Sequence, residues 1–189
     1  MSRVKRLIHS FFFTLNRGRK KALYANKHGL FAYYGHGVVF QPHIIPLYSQ
    51  LIKLHDNVVV GRNVEFITHD VIHHVINASP LCDHDFRERV GCIEVMDNVF
   101  IGNGAVIMYG VRLAENSIIA AGSVVTKSTE ANLVYAGVPA RKIGVFSDTA
   151  EKRKVGEHTG TISTVTINQR ITDDEISGAW DVFYQANQS

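Results

Sequence analysis

Between residues 95 and 130 a large aliphatic side chain returns every six positions: Val95, Ile101, Ile107, Leu113, Ile119 and Val125. The fifth position of each hexad is mostly small (Val99, Ala105, Val111, Ser117, Ser123, Thr129). The fourth is asparagine or glycine at Asn98, Gly104, Gly110, Asn116 and Gly122. Two hexads upstream, LHDNVV from Leu54 and VGRNVE from Val60, keep the phase with Asn57 and Asn63, and Phe66 extends it. A helix would repeat near 3.6 and a half-buried strand at 2. A period of six suits a short strand plus a corner. Three such sides make a triangular coil, and stacked coils bury one apolar column. Asn and Gly tolerate the left-handed backbone that tight corners need. Ordinary antiparallel strands joined by glycine turns would not hold six consecutive hexads in phase. The pattern predicts a mainly-β chain built on a left-handed parallel β-helix, a triangular prism.

The segments that escape the period define the rest of the organisation. Residues 1–30 read as a basic amphipathic helical segment. Residues 31–144 read as the β-helix domain, with Tyr33 to Gln50 irregular in the hexad frame. Residues 70–91, DVIHHVINASPLCDHDFRERVG, fit no hexad and read as an inserted loop, and long loops in compact domains are often functional. Residues 145–189 form a polar extension. In it, TISTVTI over 161–167 alternates enough for a short strand. Thr172 to Glu175 reads as a capping box that starts a helix carrying Ile176, Trp180 and Phe183. Trp180 reads as core.

Charge sharpens the picture of the N-terminus. The chain of 189 residues has a net charge of +3. Eight Lys and Arg precede residue 31, and the first acidic residue is Asp56. From residue 31 onward 12 basic residues face 17 acidic ones, a net of −5. The body is therefore mildly acidic. A nucleic-acid binder would more often carry its cations across a folded face, so no nucleic-acid partner is expected. Leu7, Ile8, Phe11, Phe12, Phe13 and Leu15 lie among the leader's cations. His9 and Ser10 interrupt this stretch and Arg17, Arg19, Lys20 and Lys21 follow it, which does not suit a signal peptide. One reading is a helix lying on an anionic membrane surface, a peripheral contact. The plainer reading is a helix that packs Leu7, Phe11 and Leu15 against the body or a neighbouring subunit. No apolar run is long enough to span a bilayer. Cys82 and Cys92 make neither a metal spacing nor a disulfide framework, so a reducing, cytoplasmic setting is expected.

Val58 to Asp70, VVVGRNVEFITHD, and Val95 to Gly144 carry a resemblance to a known family, most specifically through IIAAGSVVTK followed by AGVPARKI. These segments resemble the hexapeptide-repeat acyltransferases, and most closely the branch that includes galactoside, maltose and capsular-polysaccharide O-acetyltransferases. The resemblance spans roughly residues 48–144. It implies a homotrimer with sites in the grooves between prisms, and acetyl-CoA as cosubstrate, with no metal expected. It implies that His69, at the base of the inserted loop, is the catalytic base. It also implies that Asn103, Ala121, Thr126 and Lys127 line the donor groove and that Arg141 reaches the donor phosphates. Two positions depart from relatives: Phe100 where close relatives carry Trp, and Gly144 where some carry a second Arg.

The chemistry asked of His69 is simple. Acyl transfer from a thioester to a hydroxyl needs the hydroxyl proton removed during attack, and imidazole is the side chain whose free base is abundant near neutral pH. His73, His74 and His84 lie in the loop and read as surface or acceptor-contacting residues. Asp70 is a candidate for orienting a neighbour. A backbone N–H near Gly102 to Gly104 is a candidate oxyanion donor. The expected acceptor is a carbohydrate hydroxyl. An amino-sugar nucleotide or serine acceptor remains open within acyl transfer. A γ-type zinc carbonic anhydrase shares the coil, and His69 and His74 are five apart, but no third ligand has a counterpart. A non-enzymatic scaffold is the remaining class.

Overall fold

A computed structural model describes residues 3–16, 19–83, 85–154 and 171–187. Two compact units divide the chain at residue 146. The first is the predicted left-handed parallel β-helix with its N-terminal helices. Three parallel sheets form its flat faces. Face A stacks β1 (Tyr33–Tyr34), β3 (Ile52–Leu54), β8 (Ile93–Val95) and β11 (Arg112–Leu113). Face B stacks β2 (Val39–Phe40), β4 (Val59–Val60), β9 (Phe100–Ile101), β12 (Ile118–Ile119) and β14 (Leu133–Ala136). Face C stacks β5 (Glu65–Ile67), β10 (Val106–Met108) and β13 (Val124–Val125). An antiparallel strand, β15 (Arg141–Val145), folds back on β14 and covers that end of face B.

The hexad positions do what their chemistry suggests. Ile101, Ile107, Leu113 and Ile119 are fully buried. Asn57, Asn63, Asn98, Gly104, Gly110, Asn116 and Gly122 all have positive φ. At the corner between faces A and B the asparagines also bond to one another. Asn57 Nδ2 donates to Asn98 Oδ1 at 3.1 Å, Asn98 to Asn116 at 3.2 Å, and Asn116 to Asn132 at 2.8 Å. This ladder ties four successive coils at one edge.

The first coil begins earlier than the hexads indicate. Tyr33 and Tyr34 pair with Lys53 and Leu54, and Val39 and Phe40 pair with Val59 and Val60. So only the stretch after Phe40 is irregular. Phe31, Tyr34 and Phe40 fill this end of the prism, and Phe13 inserts among them with ring centroids 5.6 to 6.1 Å away. Phe40 stacks in turn on Phe66. Bulky aromatics replace the aliphatic period here because an open solenoid end needs a plug.

The leader is two helices, α1 (Arg3–Leu15) and α2 (Arg19–Lys27). Of the expected packings, the one against the body is not seen: Leu7, Phe11 and Leu15 face away from it, while Ser10 and Phe13 are buried. Lys21 is drawn inward, 4.5 Å from the Phe13 ring centroid, and donates to the Phe40 carbonyl; burial lowers its pKa. In the second unit α5 (Asp173–Ala186) starts with the expected capping box of Thr172 and Glu175. Trp180 is not core: it is exposed and lies against Phe183 and Tyr184. The strand expected over 161–167 lies outside the described residues.

Asn98→Ala should remove two rungs of the asparagine ladder and put at positive φ a residue without the short polar side chain that lets asparagine tolerate it, destabilising the protein by about 2–3 kcal/mol. Asn98→Gly should recover roughly 1 kcal/mol of that, the backbone part only. Equilibrium urea denaturation of the three proteins checks the order.

Candidate functional site

The coil repeats every three hexads, so residues eighteen apart stack. Ile107 pairs with Val125, and Phe66 pairs with Ile107 across the inserted loop. The third positions of the hexads therefore line up along the prism edges. One edge, between faces C and A, carries Tyr109 and Lys127 on successive rungs, with Thr126 immediately before Lys127. The loop also leaves from this edge. Thr68 is buried and donates to the Leu47 carbonyl at 2.8 Å, which fixes the last residue before the departure. His69 and Asp70 then form β6 (His69–Asp70), paired antiparallel with β7 (Arg89–Val90). Gly91 N–H donates back to the Thr68 carbonyl at 2.9 Å and closes the loop at its base. The loop is thus a hairpin neck on a rigid coil, with a short helix α3 (His73–Asn77) beyond it.

His69 sits in this neck with its ring edge-on to Tyr48, centroids 5.2 Å apart. Its Nδ1 is buried and has no hydrogen-bond partner among the described residues. The Tyr48 backbone has φ 52°, so this tyrosine is held toward the neck by an unusual conformation. The irregular stretch after Phe40 therefore reaches the same place as the loop.

Asp70 is anchored to the coil. The Tyr109 hydroxyl donates to Asp70 Oδ2 at 2.5 Å, and the Ile72 N–H donates to Asp70 Oδ1 at 3.2 Å. The Tyr109 hydrogen bond, then Ile72 and the Arg89 charge, hold the Asp70 carboxyl below the usual aspartate range against a smaller opposing effect of burial. The same bond raises the Tyr109 pKa. Tyr48 and Tyr109 were not singled out from the sequence. The available signal for Tyr109 is that it is the one aromatic among the third positions of the six hexads.

The expected donor residues divide between two edges. Thr126 and Lys127 share the His69 edge, and both are exposed. Asn103 and Ala121 lie one rung apart on the edge between faces B and C, where Gly122 N–H donates to the Asn103 carbonyl at 2.9 Å. Asn103 Oδ1 is occupied by the Arg62 N–H at 2.8 Å. The coils press together here: a β-carbon on Gly102 would lie 2.4 Å from Ala121 N, so only glycine fits. Arg141 begins β15 and pairs with Ala136, at the end of the prism, exposed. Face C separates the two edges. Its width of four to five residues is roughly 15 Å at strand rise.

Beside the His69 edge, on face A, an open groove of about 550 Å³ is lined by residues including Cys92, Glu94, Arg112, Ser128 and Thr129. Glu94 gathers Arg112 at 2.8 Å, His55 at 3.2 Å and Lys53 at 3.8 Å. Burial raises its pKa, but hydrogen bonds from His55 and Arg112 and the nearby cations outweigh that and leave it lowered. His74 is exposed, His73 stacks on it at 4.1 Å, and His84 lies outside the described residues. Among the described residues no group of three or more His, Cys, Asp or Glu could hold a metal ion.

Comparisons with known proteins agree with the repeat. Residues 93–127 match the family described as bacterial transferase hexapeptide (six repeats). The chain is 37% identical over 98 residues to galactoside O-acetyltransferase of Escherichia coli (strain K12), covering 51% of this chain and 45% of that protein. It therefore spans less than half the length of this curated relative. Among solved structures, a galactoside acetyltransferase in complex with coenzyme A aligns with a TM-score of 0.56 at 23% identity, over 79% of this chain and 82% of the other. A hexapeptide-repeat containing acetyltransferase from Vibrio cholerae aligns with a TM-score of 0.55 at 19% identity, over 76% and 90%. At these identities the structural likenesses carry the fold.

Tyr109→Phe should loosen the loop neck. The Asp70 carboxyl is depressed in the folded protein, so its contact stabilises the neck above the ordinary aspartate range and is lost as pH falls through the depressed value. Limited proteolysis within residues 71–88 should be faster for Tyr109→Phe than for wild type at neutral pH. The two rates should converge in acid.

Proposed function

We propose that this chain, whose residues 93–127 match the hexapeptide-repeat transferases, belongs to that family and is an acetyl-CoA-dependent O-acetyltransferase of a carbohydrate hydroxyl. The observation that carries the proposal is the position of His69. It stands where the repeat is interrupted, within the pinned neck where the loop leaves the coil, at the edge that also bears Thr126 and Lys127. The coenzyme A named with the galactoside acetyltransferase structure supports the choice of donor.

The residues suit direct transfer. An imidazole nitrogen of His69 takes the acceptor hydroxyl proton as the oxygen attacks the thioester carbonyl. The tetrahedral intermediate collapses with cleavage of the carbon–sulfur bond, and the proton passes from His69 to the departing thiolate. Tyr48 limits the imidazole's surroundings, and the Tyr109 bond to the adjacent Asp70 ties the neck to the coil. Lys127 and Arg141 are cations for the donor phosphates, and Lys142 offsets the glycine at 144. Glu94, Arg112, Ser128 and Thr129 offer the hydrogen-bonding groups that a hydroxyl-rich acceptor needs in the adjoining groove. An amine acceptor is the second reading within the same chemistry.

A homotrimer completes the proposal. One narrow donor arm does not easily follow two prism edges roughly 15 Å apart. A neighbouring prism that brings its Asn103 and Ala121 edge toward the His69 and Lys127 edge would make a single groove. Face B supplies a surface for such contact. Its outward side chains Val39, Val59, Phe100 and Ile118 follow one another in register, all apolar, and Val134 continues the row beneath the covering strand β15. Closed symmetric assembly buries such a ladder.

With acetyl-CoA and a panel of sugars, glycans, amino sugars and serine, thiol release should be greatest with a sugar hydroxyl. His69→Ala should lower kcat/KM about 10²–10⁴-fold while thermal unfolding is unchanged. Turnover of any acceptor that is equal in wild type and His69→Ala would sink the assignment. Sedimentation equilibrium should give three times the chain mass of 21.1 kDa, and Phe100→Glu should reduce it.

A further inference from the structure

Helix α1 turns its widest apolar surface away from the fold. Val4, Leu7, Ile8, Phe11, Phe12 and Leu15 are each between 48% and 66% exposed. The opposite face does the packing: Phe13 is fully buried, Ser10 Oγ accepts from the Ile45 N–H at 2.9 Å, and Arg6 donates to the Ile45 carbonyl at 3.5 Å. Positions 4, 7, 8, 11, 12 and 15 fall within about half of a helix circumference. On the same wheel Arg3 and Lys5, both exposed, lie at opposite margins of the stripe. Helix α2 adds the exposed Leu23, Lys20 and Lys27. Lys21 of α2 instead turns inward, over Phe13 and Phe40. In the sequence no carboxylate precedes Asp56, so the two helices themselves carry cations only.

We propose that the α1–α2 surface docks on an anionic lipid bilayer, with the apolar stripe at the boundary between headgroups and acyl chains and the cations at the lipid phosphates. An apolar centre with cations at its margins is the arrangement an interfacial helix needs. A nucleic acid would require the cations at the centre and has no use for a row of phenylalanine and leucine. A second copy meeting this surface face to face would set like charges against each other. Among the described residues no helix is long and apolar enough to cross a membrane, and α1, with 13 residues, is about 20 Å long, so it lies along the surface. The docking is independent of acetyl transfer and is measured without donor or acceptor.

The test is flotation of the full chain with vesicles of phosphatidylcholine alone or with roughly a third phosphatidylglycerol. Wild type should float with the anionic vesicles, remain soluble with the neutral ones, and be released by salt on the order of 1 M. The double variant Leu7→Glu and Phe11→Glu should lose binding on the order of tenfold or more. A second variant, Arg3→Gln with Lys20→Gln, should weaken it on the order of tenfold and leave the stripe intact. All four positions are exposed, so thermal unfolding should be unchanged, which separates lost docking from lost folding. The proposal is overturned if wild type stays soluble with anionic vesicles, if it binds neutral vesicles equally, or if both variants bind like wild type. It is also overturned if Leu7→Glu with Phe11→Glu lowers the sedimentation mass of the protein, because a second copy then covers the stripe.

Discussion

Every coil of this prism has to turn three corners at the same height as the coil beneath it. Strands of two or three residues are too short to be stable alone, so their registry depends on the corners. Most corners need a residue that accepts a left-handed backbone, and the chain supplies asparagine or glycine at 57, 63, 98, 104, 110, 116 and 122. The asparagines at 57, 98, 116 and 132 add side-chain bonds from rung to rung. A corner that slipped by one residue would turn Ile101 or Leu113 outward and its polar neighbour inward. The core, the flat faces and the straight edges all follow from that one conformational requirement.

A straight edge is what makes the site possible. Side chains eighteen residues apart fall into a line, so Tyr109 and Lys127 share an edge although neither is near His69 in sequence. The inserted loop then departs from that line through a neck held by Thr68, Gly91 and the Asp70–Tyr109 bond. His69 lies within the neck, between the Thr68–Gly91 and Asp70–Tyr109 bonds, and the chain beyond it leaves the hexad frame. Regular coil fixes one side of His69; irregular chain surrounds the other.

The same division governs what could be read from the residues alone. Inward aliphatics, positive-φ corners and the break after His69 are periodic properties, and each is visible as a repeat or its failure. The coil formed by Tyr33–Tyr34 and Val39–Phe40 escaped notice because its core is aromatic, plugging an open end. Tyr109 escaped because its role depends on a partner 39 residues away. Which face of α1 packs on the body is ambiguous in the sequence for a related reason. Hydrophobic periodicity locates a stripe, but it does not say whether the stripe or the face opposite it meets the body.

That face bears on how the end of the prism is built. A solenoid exposes the apolar top of its first coil and must cover it. Here the cover needs little from α1: one phenylalanine set among Phe31, Tyr34 and Phe40, with Ser10 and Arg6 bonding to Ile45. Six further large apolar side chains on the same short helix contribute nothing to that cover. Exposed apolar surface of this extent is a solubility burden on a protein that does not use it. Alanine or lysine at those positions would cap the prism equally well. The stripe is therefore better explained by what lies outside the prism than by the prism's own stability.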